Sequence, residues 1–235
     1  MKNAIRPRFV ALSAALAATL ICATGFAAGA VQKPAVAADD ELPCNTGVIP
    51  GIHINDYRTR AAGTQSTWDA GDVKRNHLDP AMAAMRQGNY SRGVKADLSF
   101  VMSSWPNYYP VLEALITYDL GGGKTYDFPT TRCFLERART IFPDDVKVRL
   151  LEGYYFWKKN DKDRAISSYE DALALDPDAS DAHYNLGLVY LEMNQYDKAR
   201  EHAKAAYAAG YPLTGLKNRL AKAGYALPAD SPSNN

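Results

Sequence analysis

The sequence predicts an all-α chain of stacked helical hairpins, and three observations carry that expectation. Residues 146–179 and 180–213 can be written one above the other as two units of 34 residues. Small and aromatic residues recur between them in register: Gly153 falls on Gly187, Phe156 on Tyr190, Ala165 on Ala199 and Ala172 on Ala206. No alternation of strand-like and helix-like segments, the mark of a parallel α/β sheet, occurs along the 235 residues. A period of this length marks one supersecondary unit stacked on the next, because a lone hairpin cannot bury its apolar face.

Both units resemble the tetratricopeptide repeat. The first fits at Gly153, Phe156, Asn160, Ala165, Tyr169, Ala172 and Pro177; the second fits at Leu186, Gly187, Tyr190, Ala199 and Ala206. The second departs at Ala203, where the pattern has an aromatic, and its proline, Pro212, comes one residue late. The resemblance implies a right-handed superhelical solenoid of helix-turn-helix hairpins. Small residues let paired helices approach closely, and the aromatics fill the wider gaps.

From the N-terminus, Lys2, Arg6 and Arg8 precede the apolar run 10–21 and the small-residue stretch 22–30. A basic head, a short apolar body and an alanine-rich exit read as a secretory signal peptide over residues 1–30, cut after Ala30 or Ala38. The run is shorter than the roughly 20 residues that span a bilayer, so no stable membrane anchor is expected after cleavage. Ile21 before Cys22 argues against a lipoprotein, which needs a small residue there. Residues 39–73 show no period and are rich in Pro, Gly, Thr and Asn, as expected of an irregular arm. Cleavage leaves Cys44 and Cys133, and in an oxidising compartment two such residues are expected to pair. That bridge would close a loop of about 90 residues and contribute about 4–5 kcal/mol in the chain-entropy view.

Residues 74–145 read as two degenerate repeats. The first has the Gly88-Asn89-Tyr90 turn, Gly93 at a small-residue position and Pro106 at its end. The second places Gly121 at the turn, then Ala138 and Pro143, but is about five residues too long. The surplus is the stretch Gly121-Gly122-Gly123-Lys124-Thr125, which looks like the tail of a phosphate-binding loop. Such a loop needs an earlier glycine where Tyr118 stands, and a preceding strand where the pattern is helical. The stretch is therefore expected to be a turn insertion, with no nucleotide bound. After the two strong units, residues 214–227 read as a capping helix with Leu213, Leu216, Leu220 and Ala223 along one stripe, and residues 228–235 as a flexible tail.

Composition narrows function mainly by exclusion. The formal charge is +1, falling to −2 when Lys2, Arg6 and Arg8 leave and to −3 when Lys33 goes with them, which gives no footprint for nucleic acid. His53, His77, His183 and His202 show no ligand spacing and are expected to be structural. Asp176, Asp178 and Asp181 lack the glycine and distal glutamate of a calcium loop and are expected to cap the following helix. No nucleophile elbow is present. The expectation is a non-enzymatic chain without cofactor or metal.

The resemblance also implies a site. In the family, a set of first-helix positions lines the concave surface, and here these are Lys147, Leu150, Tyr154, Trp157 and Lys158, then Asp181, Tyr184, Leu188, Leu191 and Glu192. A groove rich in Tyr and Trp suits a protein or extended-peptide partner, in a periplasmic or secreted scaffold. Co-chaperones of the family grip a partner's C-terminal carboxylate with Lys and Asn where this chain has Leu150 and Tyr154; Asn185 alone matches that set. Capture of a chaperone tail is not expected. A soluble receptor for a small ligand held between groove and arm is the alternative, and an enzyme without a recognisable motif the second.

Overall fold

The computed structural model describes residues 54–58 and 70–227. The signal-like segment 1–30, Cys44, the rest of the arm and the tail 228–235 lie outside the described residues.

The regular elements among the described residues are helical. The chain enters through α1 (Ala70–Val73), a π-helical turn (Lys74–Leu78) and α2 (Asp79–Arg86). It continues through α3 (Arg92–Ser104), α4 (Tyr109–Leu120), α5 (Thr131–Ile141), α6 (Val146–Lys158), α7 (Lys162–Leu175), α8 (Ser180–Glu192), α9 (Tyr196–Ala208) and α10 (Gly215–Lys222). The widened turn stands just ahead of Pro80, whose missing N–H interrupts the i→i−4 ladder; the Asp79 N–H reaches the Lys74 carbonyl instead. No described helix is long and apolar enough to cross a membrane.

Two stop signals alternate along the stack. The first helix of each pair ends on a residue with positive φ: Gly88 (76°), Gly122 (85°), Asn160 (62°) and Asn194 (59°). The next N–H then bonds five residues back, as in Asn89 N to Ala84 O (3.0 Å), Gly123 N to Tyr118 O (2.9 Å), Asp161 N to Phe156 O (2.9 Å) and Gln195 N to Tyr190 O (2.9 Å). Left-handed caps of this kind satisfy otherwise orphaned carbonyls. The second helices α3, α5 and α7 instead end where a proline follows, while α9 ends on left-handed Gly210 (82°). Trp105, Phe142 and Asp176 leave the helical region ahead of Pro106, Pro143 and Pro177, because a residue before proline is pushed out of the α region.

Starts are set by side chains. Thr130, Asp145 and Asp161 accept from the N–H groups of Cys133, Val148 and Arg164 and so cap α5, α6 and α7. Helix α8 differs from expectation. Its N-cap is Ala179, with no side-chain bond, while Asp176 accepts from the Asp178 N–H and Asp181 sits in the first turn. The three aspartates therefore tighten the turn and favour the positive end of the helix dipole.

The core of the strong units is built from small residues against large ones. A Cβ added at Gly153 would lie 2.6 Å from the Tyr169 ring, and one at Gly187 would lie 2.4 Å from Leu216 and 3.3 Å from the Ala199 carbonyl. Ala165, Ala172, Ala199, Ala203 and Ala206 are fully buried. Ala203 thus fills its position without the pattern's aromatic. Helix α10 buries Leu216 and Leu220. The expected four-residue stripe is shorter, because the helix begins at Gly215 and ends at Lys222, leaving Leu213 57% exposed and Ala223 at the surface.

Upstream, polar groups share the work. Arg137 of α5 donates to the carbonyls of Met102 (2.6 Å) and Ser103 (3.1 Å), closing the last turn of α3. Lys95 is 1% exposed, its ammonium 5.6 Å from the Tyr118 ring centre and 5.3 Å from that of Phe134. Burial depresses this amine to about 8, with Asp119 pulling the other way. In the Gly-rich insertion, the Tyr118 hydroxyl donates to the Tyr90 and Lys124 carbonyls (each 3.0 Å), while Arg92 pairs with Asp127 (2.7 Å) and lies over Phe128.

Candidate functional site: an aromatic face on α6 and α8

Residues three and four apart share a helix face, so Lys147, Leu150, Tyr154 and Lys158 fall on one side of α6 while Val148, Leu151, Tyr155 and Phe156 turn to the core. Tyr154 is 37% exposed and meets half-buried Trp157 edge to face, with centroids 6.4 Å apart and planes at 78°. The Lys158 ammonium lies 4.6 Å from the Trp157 ring centre and 5.4 Å from that of Tyr154. A cation over two ring faces draws on the ring quadrupole, a contribution of about 0.5–1 kcal/mol at an exposed site that favours this arrangement.

Helix α8 supplies the acid. The Trp157 indole N–H donates to Glu192 Oε2 at 2.8 Å. The same carboxylate lies 3.9 Å from Lys162 and 3.8 Å from Arg219, so it ties α6, α7, α8 and α10 together beside the aromatic pair. Tyr154, Trp157, Lys158 and Glu192 thereby form one contiguous patch.

The remaining expected groove residues are placed differently. Leu150, Tyr184 and Leu191 are 9%, 7% and 9% exposed and belong to the apolar core. Tyr184 stacks on Tyr211, with centroids 4.1 Å apart and planes at 24°. Leu188 is half-buried against the core, and Asp181 is exposed. Lys147 points away from the aromatic pair to Glu113 of α4, 3.7 Å away. Cys133 is buried on α5.

Two contact sets were not among the expected residues. The Tyr155 hydroxyl donates to Asp119 (2.8 Å), which also lies 3.4 Å from Lys159, so α4 and α6 are joined by ion pairs along this face. A sequence signal existed: Glu113, Lys147 and Asp181 are spaced one 34-residue period apart. The second set is the arm. Asn55 donates to the Ser104 carbonyl (2.9 Å), and the Tyr57 N–H to Asn107 Oδ1 (2.9 Å). Asn107 in turn donates to Asp56 (2.8 Å) and to the α6 cap Asp145 (2.9 Å). Tyr109 donates to Asp145 as well (2.9 Å), and burial together with that bond raises its phenol. Arg58 pairs with Asp144 at 3.0 Å and lies over Phe142. These arm residues thus fasten the joint between α3, α4 and α6.

A cavity of about 520 Å³ opens between α3 and α5, lined by Ala96, Phe100, Phe128, Pro129 and Phe134 with Arg137 at its edge.

With this architecture in place, comparison with known proteins gives the class. Residues 150–212 match the tetratricopeptide repeat family. A thermophilic tetratricopeptide-repeat protein of Thermus thermophilus superposes with a TM-score of 0.50 at 18% identity, over 70% of this chain and 86% of that one. The MamA protein is also similar, with a TM-score of 0.47 at 22% identity, over 65% of this chain and 81% of MamA. In sequence, 78 residues are 41% identical to the Hsp70-Hsp90 organising protein of Plasmodium falciparum (isolate 3D7), covering 30% of this chain. The match spans only 14% of that relative's length. Residues 150–212 are thus tetratricopeptide repeats, set within a stack of helices whose fold the Thermus protein shares.

Proposed function

We propose that the protein is a non-enzymatic adaptor of the periplasm or secreted space, holding an extended peptide or a partner protein against α6 and α8. The observation that carries this reading is the Tyr154–Trp157–Lys158–Glu192 patch. It leaves aromatic area at the surface, with Tyr154 and Trp157 held by their contacts to Lys158 and Glu192. Rigid aromatic area of this kind anchors partners at low entropic cost. The basic-then-apolar segment 1–30 supports export. Pairing of Cys44 with Cys133 is part of the same reading, supported by the Cys133 sulfur being in a disulfide and not a free thiol.

The name of the Plasmodium relative links that protein to Hsp70 and Hsp90. Here Leu150, 9% exposed, and Tyr154 stand where chaperone-tail binders of the family use Lys and Asn, so the partner is read as a different one. A photoreactive residue at Trp157 or Tyr154, introduced in the native envelope, is expected to give a discrete partner adduct, whereas Lys204 on α9 should give none. Adducts of equal yield at all three positions would remove the patch from the reading.

The cavity between α3 and α5 favours a second reading, a receptor for a small apolar ligand. An apolar fluorescent probe displaced by Ala96→Trp, but not by changes at Trp157, would support it. Binding unaffected by Ala96→Trp would count against it.

A further inference from the structure

Away from the aromatic face, α8 and α9 bring together two histidines that lie 19 residues apart in the chain. His183 Nδ1 and His202 Nδ1 are 3.0 Å apart, and the rings are inclined at 37° with centroids 5.3 Å apart. Neither has a partner at ligand spacing in the sequence, yet the fold sets each ring against the other. We propose that His183 and His202 form a two-imidazole chelating site for a divalent transition metal, preferring Cu(II) and Ni(II) over Zn(II).

The geometry of each ring supports this. His183 Nε2 lies 3.0 Å from the Pro177 carbonyl. A carbonyl only accepts, so Nε2 carries the hydrogen and the Nδ1 lone pair is directed at His202. This is the arrangement by which metal-ligating histidines are oriented, one ring nitrogen donating to a fixed acceptor and the other left free to ligate. His202 is held by Tyr190, whose ring stacks on it at 13° and 5.5 Å. Both imidazoles are half-buried, so they remain within reach of solvent. Without metal, His202 Nδ1–H donates to His183 Nδ1. With metal, the His202 proton sits on Nε2 and both Nδ1 atoms ligate, so binding releases no net proton.

The separation of the nitrogens, 3.0 Å across the metal-free hydrogen bond, sets the starting geometry, and the general affinity order of nitrogen sites adds copper's lead. At metal–nitrogen distances of about 2.0–2.1 Å, nitrogens 3.0 Å apart subtend about 91–97° at the ion. That is the cis angle of a square-planar or octahedral centre, and tetragonal nitrogen and oxygen sites select Cu(II) and Ni(II). A tetrahedral zinc centre would need the nitrogens about 3.3–3.4 Å apart at the same bond lengths. Among the described residues no group of three or more His, Cys, Asp or Glu converges on a metal position. Water completes the shell, and the ion is exchangeable. Its effect is to staple the two helices of one repeat, raising the melting temperature as ligand exceeds its dissociation constant.

The test is calorimetric titration of the tag-free chain with Cu(II), Ni(II) and Zn(II) salts against a glycine competitor, with electron paramagnetic resonance of the copper form. The expected result is one copper equivalent with two-nitrogen coupling, affinity in the order Cu(II), Ni(II), Zn(II), and a higher melting temperature on loading. His183→Gln and His202→Gln should each weaken copper binding by about 10-fold or more with the helical circular dichroism unchanged. Should either variant lose helicity, the decisive readings are the two-nitrogen signal and the melting shift of the unaltered chain. Copper binding that survives both substitutions, absence of the two-nitrogen signal, no rise in melting temperature, or zinc bound more tightly than nickel would each overturn the proposal.

Discussion

The two halves of the stack share one rhythm and hold it by different means. In residues 146–208 the hairpins close by shape: Gly153 sits under the Tyr169 ring, Gly187 under Leu216, and the second helices meet them with fully buried alanines. In residues 79–141 the same spacing is maintained with Lys95 buried between two rings, Arg137 closing α3, and an Asn107–Asp145 bond that recruits the arm. Gly93 makes the contrast plain. It occupies a small-residue position, yet a Cβ there would meet nothing nearer than Ser91 Oγ at 3.9 Å. Close packing at a glycine thus follows from the large side chain set against it, upstream as well, where Gly121 lies against Tyr90 and Gly123 against Tyr118.

The comparison is tested most strongly by replacing Gly153 and Gly93. Gly153→Ala forces the Tyr169 ring aside and is expected to cost about 2–3 kcal/mol in chemical denaturation. Gly93→Ala should be neutral or stabilise by up to about 1 kcal/mol from helix propensity. Equal losses at the two sites would erase the distinction.

Next comes charge. Lys95 has a folded value of about 8 against 10.5 for a free amine, so the folded state binds fewer protons between them and stability rises as pH climbs through that window. Lys95→Met should stabilise the chain at neutral pH by about 1–3 kcal/mol and remove the alkaline rise. His202, at about 4 against 6.5, gives the same sign in a lower window. Stability should fall by about 1–2 kcal/mol as pH drops from 6.5 towards 4, with His183, Tyr190, Glu201 and Lys198 as the facing groups. Separate melting profiles over the two ranges report the upstream and downstream halves in turn; His202→Gln should flatten only the acid limb.

The smallest effect concerns the turns. Asn160 and Asn194 adopt φ of 62° and 59°, where Gly88 and Gly122 serve the upstream pairs. Asn160→Gly relieves left-handed strain but adds chain entropy, and a change within about 1 kcal/mol is expected. A larger loss would mean that the Asn160 side chain holds the turn.

How far the sequence reveals this molecule follows the same division. Gly153, Ala165, Tyr169 and Ala172 announce their packing because each belongs to a periodic constraint that the neighbouring unit repeats. The upstream devices leave no such trace. Lys95 reads as a surface lysine until Tyr118 and Phe134 close over it, and Asp56, Asn107 and Asp145 lie far apart in sequence with no period relating them. Within the site, Tyr154 and Trp157 are legible as surface aromatics. Leu150, Tyr184 and Leu191 are not, because burial at those positions depends on what the next hairpin and the Tyr211 loop place against them. The histidine pair escapes a linear reading because its members flank the Asn194 turn, and only folding the hairpin brings them together.

The adaptor reading stands on one separation: the Tyr154–Trp157 face contributes more to capture than to the core, which Trp157 touches only with its partly buried side. The direct measurement is paired, comparing partner capture by a photoreactive group at Lys158 with the melting temperature, each in the parent chain and in a Tyr154→Ala/Trp157→Ala variant. The account predicts that capture is lost in the variant while helicity and melting stay close to those of the parent chain. Loss of folding in step with loss of capture would show those rings to be core, and the proposed binding face would not exist.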